Sequence, residues 1–427
     1  MSGFGMIEIV CIALGLILTV GPALAARARR RTEDEVADDY EPTVTVITPM
    51  YNEGEGIRQT IRSVLAQDYP AHKLHLIVVD DASTDDSYEH AVAEARGERR
   101  VSVLRNPVNL GKRRAINRAV RVTSSEIIVS VDSDVTVDGR AVRELVRRFT
   151  GPEIAAVGGQ VDIRNKHTNW LTRMQAVKYF FGYHTIKNLE RAYRTVLCLS
   201  GCLTAYRRSV LVELEPILER RKVKYGEDRF LTRQIIKAGY QTTMTMDALC
   251  HTTAPDDFRV YVAQQLRWRR STIVDYLGST SHFWRMHPLV ALHYYSVFGA
   301  ILVYPALLIS AIVSGLFVPL MLLHMLIVMG FGLYYFVKVR KRPADQRVSA
   351  VAFLPMAFVL PISYAILTPL AALTLGTKSW STRRRKSSEG ASPASSPAPA
   401  PAMATQSDHD SDTLHPASVR AATHFGA

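Results

Sequence analysis

Cysteine is scarce in this chain. Cys11, Cys198, Cys202 and Cys250, spread over 427 residues, are too few and too scattered for a disulfide framework or a zinc cage. Cys198 and Cys202 are expected to be plain small core residues. A P-loop is missing too: no Gly-x-x-x-x-Gly precedes Lys112 and no Ser or Thr follows it, although Asn109-Leu110-Gly111-Lys112 opens a helix. There is no internal repeat, which argues against a solenoid or a propeller. Acid is in short supply, with 39 Asp and Glu against 52 Lys and Arg and a net charge of +13. The excess does not call for nucleic acid, because it gathers beside apolar segments and in the C-terminal tail. An anionic membrane surface and anionic substrates account for it.

What the chain has in quantity is apolar residues, 48% of it, concentrated towards the two ends. Residues 6–26 form a run long enough to cross a hydrocarbon core of about 30 Å. Ala23-Leu24-Ala25 resembles a signal-peptide cleavage site, but Arg27, Arg29, Arg30 and Arg31 follow the run instead of preceding it. The expectation is an uncleaved anchor with its C-terminal end in the cytoplasm. Further apolar stretches lie at 289–313, 316–337 and 348–375, with a basic loop at 338–347. The third carries Pro355, Pro361 and Pro369, each lacking a backbone donor, so it is expected to re-enter or bend along the interface while 289–337 forms the crossing hairpin. Residues 387–427, rich in Ser, Pro and Ala, cannot bury a core and are expected to be disordered. The division expected is an anchor at 1–31, a cytoplasmic domain at 42–277, an interfacial and membrane region at 278–376, and a basic segment with tail at 377–427.

Between the apolar ends, strand and helix alternate. Residues 44–47 read as a strand, 55–67 have helical spacing through Ile57, Ile61, Val64 and Leu65, and 74–79 form a second strand closing in Asp80-Asp81. Strands at 101–104, 127–131 and 155–161 and a helix at 113–122 follow. This order predicts an α/β fold with a mostly parallel sheet of nucleotide-binding type, whose ligands collect at the C-terminal strand ends. The β-branched run Ile127-Ile128-Val129 leads to Asp132-Ser133-Asp134. On a strand side chains alternate, so both carboxylates are expected to point the same way and share a cation or a diphosphate, and hard oxygen donors suit Mg²⁺ or Mn²⁺. A solvated turn is the plain alternative.

Asp228, at the start of a helical pattern, could equally be a capping carboxylate. Residues 170–191 read as an amphipathic helix whose Trp170, Tyr179, Phe180, Phe181 and Tyr183 are core or membrane-interface anchors, or else a platform for sugar rings. Arg267 and Trp268 follow Gln264 by one helical turn. A guanidinium fits a diphosphate and an indole stacks on a sugar.

Taken in order, Asp80-Asp81, Asp132-Ser133-Asp134, Gly226-Glu227-Asp228 and Gln264-x-x-Arg267-Trp268 resemble the D, DxD, ED and QxxRW set of processive family 2 glycosyltransferases. The resemblance covers about residues 44–277, and flanking membrane spans are typical of such synthases. Residues 200–208 and 226–232 are similar to hyaluronan synthases and to rhizobial chitin-oligosaccharide synthases. Residues 379–383 resemble the Trp-Gly-Thr-Arg gating loop of hyaluronan synthases, with Trp380 kept and Ser381 in place of the glycine.

The resemblance implies a GT-A domain that binds a UDP-sugar across the strand ends, with uridine against Asp80 and Asp81. Asp132 would be part of the donor site, Asp134 would hold Mg²⁺ or Mn²⁺, and Lys112 and Arg267 would add positive charge. It further implies that Asp228 is the base, that Trp268 stacks on the acceptor sugar and that Gln264 sits at the end of the acceptor channel. The expected product is a β-linked polysaccharide: hyaluronan from UDP-GlcNAc and UDP-GlcA first, a chitin oligosaccharide second, and single-sugar transfer to a lipid carrier third. A scaffold without catalysis would have no need of Asp132, Asp134 and Asp228. The partners expected are UDP-sugars, the growing chain and the lipid bilayer, with no nucleic acid, in a multi-pass plasma-membrane protein.

Overall fold

We describe residues 36–220 and 226–376 of a computed structural model. The expected anchor at 6–26, Cys11, the Trp380 segment, the basic run at 383–386 and the C-terminal tail lie outside these residues.

Eight strands form one sheet: β1 (Val44–Met50), β2 (Leu74–Asp80), β3 (Val101–Arg105), β4 (Ile127–Val131), β5 (Thr136–Val137), β6 (Ile154–Ile163), β7 (Leu203–Arg207) and β8 (Gln241–Thr252), in the order β3-β2-β1-β4-β7-β6-β8-β5. The first four run parallel, as expected, with Val44 opposite both Leu74 and Ile127. The chain steps outward from β1 to β3, then returns to the other side of β1 with β4. Crossovers leave in opposite directions at that point, so the C-terminal ends of β1 and β4 part and open a crevice.

Three strands were not expected from sequence, the two-residue β5 and the longer β7 and β8. β7 lies antiparallel between β4 and β6, and β8 pairs parallel with β6. β7 has only five residues and its Leu203, Thr204 and Ala205 are all buried, so it shows little of the alternation that marks a half-exposed strand.

The helices that follow the early strands are amphipathic at the spacing read from sequence. In α1 (Gly56–Leu65), Ile57, Ile61 and Val64 are buried on one stripe. After α2 (Ser87–Ala95), α3 (Lys112–Val122) turns Ala115, Ala119 and Val120 inward. Each such isoleucine or valine side chain contributes roughly 1.5–3 kcal/mol by burial, an upper bound on a real unfolded chain, and each alanine less. The short α4 (Ala141–Val146) precedes β6.

α5 (Trp170–Phe181) runs into a π-helical turn at Gly182–Lys187 and the short α6 (Asn188–Arg191), where one continuous helix was expected. Phe180, Phe181 and Tyr183 are buried, so most of these aromatics are core. α7 (Arg208–Arg220), α8 (Glu227–Lys237) and the 26-residue α9 (Phe258–Phe283) complete the domain.

The apolar region comprises α10 (Pro288–Val313), α11 (Phe317–Val339), α12 (Met356–Ile362) and α13 (Thr368–Leu373), the last two joined by a π turn at Ser363–Leu367. Phe317–Val339 and Met356–Leu373 are long and apolar enough to cross a membrane, and α10 adds a third span if its two halves count as one. The sharp break expected in the third apolar stretch is found in α10 instead, where Pro288–Gly299 and Leu302–Val313 meet at 46°. Pro305 explains it, since its ring crowds the carbonyl four residues earlier and leaves it without an N–H partner. In the third stretch Pro355 is an N-cap, a position that needs no donor, while the π turn between Pro361 and Pro369 keeps the helix continuous. Tyr335 and Val339 of α11 pack in one cluster with Leu171 and Val177 of α5 and Tyr261 of α9.

Gly159 of β6 tests this packing. An added Cβ would lie 2.5 Å from Leu203 Cδ2 on β7 and 2.7 Å from the Ala248 carbonyl oxygen on β8. Gly159→Ala should therefore cost about 1–3 kcal/mol and unfold at a lower temperature. Gly182→Ala, at a helical φ of −52° with nothing within 4 Å of the new Cβ, should cost nothing. Equal thermal midpoints for the two variants would contradict the placement of β6 between β7 and β8.

Candidate active site

The acids picked out in the sequence lie at the C-terminal strand ends that border the crevice. Asp80 closes β2 fully buried; its carboxylate accepts from the Ser83 N–H at 3.0 Å and pairs with Arg105 Nε at 3.1 Å. Asp81 accepts from Asn106 Nδ2 at 2.7 Å, Leu110 N–H at 2.9 Å and Gly111 N–H at 2.7 Å. These bonds hold the turn in which Gly111 takes a φ of +86°, open to glycine, and delivers Lys112 as the first residue of α3. Both aspartates therefore work first as the frame of the loop edge.

Lys112 Nζ reaches Asp132 Oδ1 at 2.5 Å and Glu227 Oε1 at 3.3 Å. Room for it exists because residue 201 is glycine, where a Cβ would stand 2.6 Å from Nζ. Burial pulls the lysine's pKa down, but Asp132, Glu227 and Asp228 outweigh it and hold the ammonium well above its ordinary range. Asp132 is raised above the usual carboxylate range, by burial first, with Lys112 opposing and Asp134 adding repulsion. Glu227 is held low despite burial, chiefly by Lys112 and also by Arg267.

The reason expected for the pairing of Asp132 and Asp134 does not hold. β4 ends at Val131, so both acids lie in the following turn, and strand alternation does not aim them. What relates them is the turn itself, in which Val135 N–H bonds the Asp132 carbonyl at 3.2 Å and Ser133 Oγ donates to Glu53 Oε2 at 3.0 Å. No group of three His, Cys, Asp or Glu side chains among the described residues could hold a metal alone. A pair of hard carboxylates fits a cation that takes its remaining ligands from water and substrate phosphate, the usual arrangement for Mg²⁺.

Asp228 stands one residue into α8. Gly226, at a φ of +64°, is the cap residue and Asp228 Oδ1 accepts from the adjacent Arg229 N–H at 2.8 Å, so Asp228 does not serve as the N-cap that sequence left open. The Trp268 ring centroid lies 6.3 Å from that of Tyr179, which pairs one of the aromatics of α5 with the indole. Arg267 carries a buried Nε without a hydrogen-bond partner among the described residues. Gln264, a turn earlier on α9, accepts a long bond from Gln265 and is not drawn into the acid–lysine cluster.

The structure thus brings Lys112, Asp132, Asp134, Asp228 and Arg267 into one electrostatic neighbourhood and adds Glu227, which the sequence reading passed over beside Asp228. Cys198, Cys202 and Cys250 are free, and burial pushes the Cys198 thiol up to about 11, consistent with inert packing residues.

The Glycosyl transferase family 2 profile matches residues 45–214. N-acetylglucosaminyltransferases of Rhizobium sp. (strain N33) and Rhizobium meliloti (strain 1021) are 35% and 36% identical, over 61% and 60% of this chain. The chain spans 57% and 60% of the length of those two relatives. A hyaluronan synthase of Streptococcus pyogenes is 30% identical over 369 residues, 81% of this chain and 84% of that one. Among solved structures, the mannosyltransferase PcManGT from Pyrobaculum calidifontis, in complex with GDP-Man and Mn²⁺, shares the fold with a TM-score of 0.56 at 22% identity, covering 86% of this chain and 95% of that one. With the profile lying across the strands that carry the aspartates, and a relative matched over four fifths of both lengths, the chain belongs to glycosyltransferase family 2.

Proposed function

We propose that this protein is a membrane-embedded, inverting, processive glycosyltransferase that builds a β-linked polysaccharide from UDP-sugars. The observation that carries the reading is the meeting of Lys112 with Asp132 and Glu227 one residue from Asp228, at the mouth of the crevice between β1 and β4. In this reading the uridine lies along the loop edge framed by Asp80 and Asp81, and the diphosphate is drawn towards Lys112 and Arg267. Asp134, with Asp132 beside it, would hold Mg²⁺ or Mn²⁺, which supplies positive charge to the leaving diphosphate. Fixed cations aimed at that growing charge are worth most in a site shielded from water.

Asp228 takes the proton of the acceptor hydroxyl as that oxygen attacks the anomeric carbon. A single displacement turns an α-linked donor into a β-linked product. Trp268 stacks on the acceptor sugar, and Gln264 lies farther along its path. The apolar helices support a membrane protein; in this reading it is a multi-pass protein of the plasma membrane with its catalytic domain, residues 42–277, in the cytoplasm.

Two products remain in view, each with its own support. The first relatives are named N-acetylglucosaminyltransferases, which favours a chitin-like chain from UDP-GlcNAc. Hyaluronan, from UDP-GlcNAc and UDP-GlcA, is favoured by the relative that aligns over most of both chains.

Two substitutions separate the assigned roles. Asp228→Asn removes the base and leaves the diphosphate contacts, so transfer should fall by more than about 100-fold with UDP affinity nearly intact. A turnover above about a hundredth of wild type would rule Asp228 out as base. Asp134→Asn should instead weaken Mn²⁺-dependent UDP binding by about tenfold or more, as measured by calorimetry. Unchanged UDP affinity in Mn²⁺ would move the metal elsewhere.

A further inference from the structure

A buried ion pair joins α8, which carries Asp228, to α9, which carries Arg267 and Trp268. Arg233 Nη1 lies 3.1 Å from Asp275 Oδ1, and the two side chains are only 8% and 7% exposed. The same nitrogen donates to the Asp275 main-chain carbonyl at 3.2 Å. Gly278 makes room for the guanidinium, since an added Cβ there would overlap Arg233 Nη1. Lys237, one turn after Arg233, donates to the Gly278 carbonyl at 3.0 Å.

A second contact stands at the other end of α8. A Cβ on Gly226, the residue that caps the helix, would overlap Ser271 Oγ, and Ser271 follows Arg267 and Trp268 by one turn on α9. The two helices are thus held side by side from Gly226 against Ser271 to Arg233 against Asp275, with Asp228 between those points in the chain. Thr232 adds a third hold, donating to the Asp228 carbonyl at 2.8 Å and accepting from the Leu199 N–H at 3.2 Å.

Stability is a poor account of the ion pair. Two charges taken out of water cost about as much as their attraction returns, and an apolar pair of similar volume often serves the fold as well or better. Here Asp275 Oδ1 and Arg233 Nε are also buried without a hydrogen bond among the described residues. What an ion pair provides over an apolar one is a fixed register, because a charge that slips along the helix loses its partner. Arg229, next to Asp228 and one turn before Arg233, acts on the same carboxylate: burial raises Asp275 to about 6, with Arg229 first and Arg233 second opposing.

We infer that Asp275 is a positioning residue for glycosyl transfer: through Arg233 it fixes the register of α8 along α9 and so sets Asp228 against Arg267 and Trp268. The inference rests on Asp228 as base and deepens that reading. The loop edge framed by Asp80 and Asp81 and the turn that carries Asp134 belong to other elements, so UDP binding does not depend on this register.

The test compares full-length wild type with the double variant Arg233→Met, Asp275→Leu, each supplied with UDP-N-acetylglucosamine alone and together with UDP-glucuronic acid. The double variant should unfold at or above the wild-type temperature and keep its Mn²⁺-dependent UDP affinity and its donor KM within about twofold. Its kcat should fall about tenfold or more, the usual consequence of a slightly misplaced reacting group. Gly278→Ala keeps both charges and crowds the guanidinium from the α9 side, so it should lower kcat in the same selective way.

A folded double variant with wild-type kcat would overturn the inference and leave the base reading standing; should the double variant not fold, wild-type kcat in Gly278→Ala does the same. A loss of UDP affinity and thermal stability in step with kcat would give the pair a purely structural role and overturn positioning. Wild type that transfers no sugar from either supply, or Asp228→Asn protein that keeps its turnover, would contradict the reading of the site and the inference with it.

Discussion

One ammonium group organises the catalytic edge of this protein. Asp132 follows the end of β4 and Glu227 and Asp228 open α8, so the fold drives acids from two separate elements into one partly buried place. Unopposed, they would repel one another and resist ionisation. Lys112 between them offsets that repulsion and is the chief group holding Glu227 low. The lysine in turn depends on Asp81, whose bonds to Asn106, Leu110 and Gly111 fix the turn before α3, and on the absence of a side chain at Gly201. Loop, helix start and glycine thus serve a single ion cluster, and breaking one member of such a cluster usually costs more than the cluster contributes net.

The same cluster connects fold to chemistry. The reversal of strand order at β1 opens the crevice, the turn after β4 places Asp132 and Asp134 on its rim, and the start of α8 is joined to the same rim through Lys112. α9 then carries Arg267 and Trp268 past this rim towards the apolar helices. In the proposed reading, Arg267 draws the leaving diphosphate and Trp268 stacks on the acceptor sugar.

Much of this was legible in the sequence, for reasons that residue patterns can carry. The parallel strands β1 to β4 appear as β-branched runs ending in polar residues, and α1 shows its stripe through Ile57, Ile61 and Val64. The acids of the site stand at the ends of those patterns. Other features have no local signature. β7 is buried on both faces and only five residues long, and its partners become known only when distant segments meet. Counting prolines also misleads, because position decides their effect: Pro355 falls where a helix needs no donor, whereas Pro305 falls in the interior of α10 and accompanies its bend.

The most direct test of the ion cluster is a double-mutant cycle in thermal stability over Lys112→Met, Asp132→Asn and the pair together. If Lys112 is the countercharge on which Asp132 depends, the double variant should be more stable than the sum of the single losses predicts, by a coupling energy of about 1–3 kcal/mol. Strictly additive losses would mean that the two groups do not depend on each other, and would contradict the account.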